Sequence, residues 1–135
     1  MLEQIKQQIL GTLQGLPDDV QESIRQGKTY GQCGNLTLAC DNILRGELPV
    51  KKATSAYEDS TDHVYLVIEQ ERPTDDIITD ATVSQHIKGH NEVFVGTREE
   101  LRKLASGSTI INTHSKDNPQ EAFERIWGSE SLILY

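Results

Sequence analysis

Three residues able to pass one proton between them stand in order along the chain: Cys33, His63 and Asp80. Cys33 ends the glycine-punctuated stretch "GKTYGQC" and is followed by Leu36, Ala39, Cys40, Ile43 and Leu44, which repeat at helical spacing up to Gly46. That pattern predicts a helix with Cys33 at its N-terminal end. A thiolate there is stabilised by unpaired amides and by the positive end of the helix dipole, which lower a thiol pKa from about 8.5 to between about 3.5 and 7.5. The same amides can hold an oxyanion. The plainer alternative makes Cys33 a buried spacer, since free cysteine is among the most buried residue types.

A nucleophilic thiol needs a base, and the base needs an acceptor that fixes its tautomer. His63 begins "HVYLVI", a β-branched and apolar run read as a strand, so positions 63 and 65 share one face while 64, 66 and 68 share the other. "DIITDAT" reads as its antiparallel neighbour across the polar loop "QERPTDD". A hairpin pairs the start of one strand with the end of the next, which places Asp80 opposite His63. Here too a plainer reading exists, in which His63 is a satisfied histidine at the end of a central strand.

Taken together, "YGQC" opening a helix, "DHVYLVI" and "IITDATVSQ" resemble the core of the transglutaminase-like superfamily of papain-fold enzymes, whose motifs read approximately GQCW, HVW and D-A-T-P-Q. The resemblance covers about residues 28–86, with thirty residues from Cys33 to His63 and seventeen from His63 to Asp80. It implies an α+β, papain-like fold in which N-terminal helices, the nucleophile helix among them, pack on an antiparallel sheet. It also implies that Cys33 is the nucleophile, His63 the base and then the acid, and Asp80 the orienting carboxylate. Gly34 and Tyr65 stand where many relatives carry tryptophan, and Gln85 falls one residue later than D-A-T-P-Q places its glutamine. These three, with Gln32 and Gln26 as upstream side-chain donors, are the candidates for oxyanion and substrate contacts.

The activity so implied is acyl transfer on protein or peptide amides through a thioester. Hydrolysis, by a cysteine protease or glutamine deamidase, is favoured over cross-linking because the chain is small and lacks the calcium-loop pattern D-x-[DN]-x-[DN]-G. Two alternatives stay open: a cross-linking transglutaminase, and a papain-like binding or adaptor domain without turnover.

The chain as a whole sets bounds on these readings. Its 135 residues fit a single domain, 1–135, and a net charge of -8 disfavours nucleic acid or an anionic membrane surface as partner. The N-terminal "MLEQIKQQIL" is charged and amphipathic, unlike a signal peptide or a span, so a cytoplasmic location is expected. Cys33 and Cys40 on one helix are about 10 Å apart, too far for a disulfide. No metal or other cofactor is expected, since neither the cysteines nor His86 and His90, which bracket Gly89, show a recognised ligand spacing. His114 is read as a loop residue and Trp127 as core, with a wall of the substrate cleft as its alternative.

The elements that must position these groups are read as follows. Leu2, Ile5, Ile9, Leu13 and Leu16 predict a first helix, residues 17–26 a second that Gly27 ends, and 47–62 a polar loop. "NEVFVGT" predicts a third strand. Thr97 with Glu100 predicts a capping box for the helix "REELRKLAS". "STIIN" reads as a strand, "NPQEAFERIWG" as a helix and "SLILY" as a closing edge strand. Helices first and mostly consecutive strands afterwards make an α+β domain.

Overall fold

The computed structural model describes residues 2–27, 33–56, 62–110, 119–128 and 132–134; for 33–34, 54–56, 62, 119, 125 and 132–134 it describes the backbone alone. Among the described residues five α-helices and five strands make an α+β domain: α1 (Leu2–Leu13), α2 (Asp18–Arg25), α3 (Cys33–Leu44), β1 (Val50–Ala56), β2 (Asp62–Ile68), β3 (Ile77–Asp80), β4 (Phe94–Thr97), α4 (Arg98–Ser106), α5 (Pro119–Trp127) and β5 (Leu132–Leu134). The strands lie in the order β4-β3-β2-β1-β5, and every neighbouring pair is antiparallel. No helix among the described residues is long and apolar enough to cross a membrane.

The central strand β2 explains why the sheet is covered on both faces. Its side chains alternate, but both sets are apolar, so each face requires a cover. Leu66 and Ile68, with Ile77 of β3, pack against Leu36, Cys40 and Leu44 of α3, Ile9 and Leu13 of α1, and Ile24 of α2. Tyr65 and Val67, with Ile78 of β3, pack against Leu101 and Ala105 of α4 and Phe123, Ile126 and Trp127 of α5.

The first helices follow the apolar spacing, and Gly27 ends the second with a φ of 70°. That left-handed value favours glycine, and a Cβ there would meet the Asn91 side chain at 2.9 Å. The segment 47–62 is a correction. Polar and proline-bearing, it was expected as a loop, yet Val50–Ala56 forms β1, between β2 and β5. Lys51 keeps its ammonium on the surface against Glu69 at 2.6 Å, while Ala53 is fully buried. Pairing with two neighbours overrides the weak strand propensity of "KKATSA". Of the predicted strand "STIIN", Ile110 forms an antiparallel bridge to Ile87, while Ile111 and Asn112 lie outside the described residues. Residues 111–118, His114 among them, lie outside the described residues. "SLILY" is the edge strand β5, as the sequence predicts.

The β4–α4 junction ties the layers together. Thr97 Oγ1 accepts from the Glu100 amide at 3.2 Å, and Glu100 Oε1 accepts from the Thr97 amide at 3.0 Å, forming the predicted capping box. Lys6 of α1 reaches the same carboxylate, with Nζ 3.0 Å from Glu100 Oε2, joining α1 on one face to α4 on the other across the β4 edge. Removing the cap hydroxyl leaves the Glu100 amide without its acceptor at a helix start. Thr97→Ala should lower the unfolding free energy by about 1 kcal/mol, measured by urea denaturation.

Candidate active site

The site forms where β2 begins and β3 ends. The β2–β3 ladder runs from Ile68 and Ile77 to Leu66 and Thr79, and continuing its register sets Asp80 level with Tyr65. Asp80 is therefore diagonal to His63, two positions along the same face, rather than directly opposite as the hairpin argument had it. A diagonal pair on one face remains within reach of long side chains. His63 Nε2 meets Asp80 Oδ2 at 2.6 Å, with both side chains fully buried.

Asp80 is held by more than its histidine. Oδ1 accepts from the Thr82 amide at 3.0 Å and the Thr82 hydroxyl at 3.3 Å, in the turn that follows β3. Oδ2 accepts from Trp127 Nε1 at 2.9 Å, at the end of α5. Burial opposes its ionisation, but the charge of His63 and hydrogen bonds from His63, Trp127 and the Thr82 amide hold the Asp80 carboxyl below its ordinary value. An ionised carboxylate only accepts, so Nε2 of His63 carries the proton of this bond.

The surroundings of His63 are aromatic. Tyr65 lies along the same face, with its ring centre 5.8 Å away and the planes 28° apart. His86, in the loop after the turn 83–85, presents its ring at right angles 4.6 Å from that of His63, and Trp127 does so at 5.8 Å. His86 is buried within the turn-like stretch before Gly89, and the sequence signals no role for it at the site. Trp127 is core, as expected, but its bond to Asp80 spans forty-seven residues and has no local sequence signal.

The placement of α3 follows from its backbone and its neighbours. Thr37, four residues after Cys33, donates its hydroxyl to the Val64 carbonyl at 3.0 Å, beyond the end of the β2–β3 ladder. The other end of α3, Leu44, leads within six residues to Val50, which pairs with Ile68 at the far end of β2. Thus α3 runs alongside β2 in the same direction, and its first turn stands at the His63 end of the sheet. The faces differ, however: α3 packs on Leu66 and Ile68, whereas His63 shares its face with Tyr65 and α5. Any approach from position 33 to the imidazole passes around the end of the sheet, beside Val64.

The remaining candidates are dispersed. Gly34 lies in the first turn of α3 and Gln32 outside the described residues. Gln26 is exposed at the end of α2, where its amide donates to Glu22 at 2.7 Å. Gln85 is half-buried in the turn between Asp80 and His86, and Tyr65 is fully buried as a packing partner of His63. Cys40 is buried on α3, and burial, followed by the charges of Asp80 and Asp41, pushes its thiol up to about 12. Among the described residues no three His, Cys, Asp or Glu side chains converge as metal ligands. The chain matches no protein-family model, no curated protein and no solved structure.

Because its folded-state pKa is depressed, the Asp80 carboxyl contributes stability that is present above its unfolded pKa of about 3.9 and is lost as pH falls through the folded value. Asp80→Asn should destabilise the protein by about 1–3 kcal/mol at pH 7, because one amide oxygen cannot accept from all four donors. Urea unfolding should show the gap between the two proteins beginning to narrow below about pH 3.9, where the unfolded carboxyl takes up a proton, and levelling off at lower pH, where the folded carboxyl does so too.

Proposed function

We propose that this protein is a cysteine-dependent acyl-transfer enzyme with a papain-like, transglutaminase-like arrangement, acting hydrolytically on protein or peptide amides with Cys33, His63 and Asp80 as its catalytic residues. The observation that carries this reading is the fully buried 2.6 Å bond between His63 Nε2 and Asp80, at the end of the sheet where α3 begins. It supports a role for the imidazole as a base acting through Nδ1.

In the proposed reaction His63 Nδ1 takes the proton of Cys33, and the sulfur forms a bond to the amide carbonyl carbon. The oxygen, now anionic, is held by backbone amides of the first turn of α3. As the tetrahedral adduct collapses, the carbon–nitrogen bond breaks and His63 returns the proton to the departing amine or ammonia. Water then attacks the thioester, giving its proton to His63, and the acid and the thiol are released. An amine in place of water would form a cross-link instead.

A second reading has its own support: His63 is wholly buried and faces away from the side of the sheet that α3 covers. That arrangement suits a polar core in a binding domain, with His63, Asp80 and Trp127 serving only the fold.

Thiol alkylation separates the two. Treated with iodoacetamide at pH 6, Cys33 should label rapidly and Cys40, with its thiol pushed up to about 12, should not label in the native protein. His63→Ala should slow Cys33 labelling by about tenfold or more. Labelling of Cys33 at the rate of an ordinary thiol, unchanged by His63→Ala, would leave the binding-domain reading.

A further inference from the structure

We propose that Trp127 is a positioning residue for the imidazole–carboxylate pair, its indole N–H pinning the one oxygen of Asp80 that receives His63. Its part in turnover rests on the proposed role of Cys33, but its effect on Asp80 does not.

Both oxygens of Asp80 are spoken for, and by different parts of the chain. Thr82 holds Oδ1 through its amide and hydroxyl, a local constraint two residues away. Oδ2 takes two donors, His63 at 2.6 Å and Trp127 at 2.9 Å. Thr82 alone would leave the carboxylate able to pivot about Oδ1. The indole, reaching in from another element, sets where Oδ2 lies and therefore where Nε2 must point. A donor aimed at a carboxylate favours its ionised form, and in a site closed to water no solvent molecule can replace it.

The indole is itself held. Arg98 of α4 donates from Nε to the Trp127 carbonyl at 2.6 Å, fixing the end of α5. One turn back, Phe123 packs its ring 5.5 Å from the indole. The residue after it is Gly128, where a Cβ would collide with the Glu124 carbonyl, so a larger residue there requires the helix end to shift. The rings of His63 and His86 stand edge-on to the indole at 5.8 and 5.7 Å. A ring needed only to fill space would not have to place its single polar hydrogen on the carboxylate.

Trp127 is the single tryptophan of the chain, so an isostere can be introduced at that site alone by supplying it in place of tryptophan. In 3-benzothienylalanine a sulfur replaces the indole N–H and the ring shape is kept. Trp127→Phe serves as a second variant. The reading is the Asp80 carboxyl carbon, titrated by NMR in the full chain, together with the pH profile of Cys33 alkylation. The Asp80 midpoint should move up by about one to two pH units in the isostere and in Trp127→Phe. The acid limb of Cys33 alkylation should change alongside it. An unchanged midpoint in a folded isostere would overturn the proposal, because ring packing is preserved there. A shifted midpoint with Cys33 labelling as an ordinary thiol would uphold the positioning role and remove the acyl-transfer reading instead.

Discussion

A single carboxylate, Asp80, sets the terms for the end of the sheet. It is fully buried and carries charge, which is tolerable only because four donors from three places converge on it. That requirement fixes the end of β3, the turn after it, the start of β2 and the last turn of α5 relative to one another. Removing any donor leaves part of a buried charge unanswered, so the geometry is held tightly wherever it is polar.

The same constraint links fold to chemistry. An imidazole whose Nε2 is committed to an ionised carboxylate is held in one orientation, which is what the proposed role of His63 as a base requires. The pair is positioned by packed strands and a helix end, elements far stiffer than a loop. α3 brings its first turn to the same end because it runs parallel to β2, tied there by Thr37 and at its far end by the short connection to β1. What the two-faced sheet imposes is the path: position 33 and the imidazole belong to opposite layers and can meet only around the end of the sheet beyond the β2–β3 ladder.

Much of this arrangement was legible in the sequence where one signal dominated. The alternation in "HVYLVI" placed His63 with Tyr65 and opposite Leu66 and Ile68, and the hairpin argument brought Asp80 to the histidine, although two positions off its true register. The Thr97–Glu100 box marked the start of α4 to the residue. β1 was not legible, because two lysines and small polar residues make a strand only through partners on either side. Nor was Trp127, whose helical spacing announced core but whose hydrogen bond is a product of tertiary structure. His86 does lie in a turn-like stretch before Gly89, whose φ is 84°, but its contact with the His63 ring is a product of tertiary structure and has no local sequence signal.

The account turns on Cys33 Sγ reaching His63 Nδ1 around the end of the sheet. 1,3-Dibromoacetone, whose two electrophilic carbons are joined by one carbonyl, tests this directly when the labelled protein is digested and its peptides are sequenced by mass spectrometry. The account predicts a covalent bridge between Cys33 and His63, formed near neutral pH and absent from His63→Ala. Cys33 singly alkylated, with the second carbon hydrolysed or attached to any residue other than His63, would contradict it.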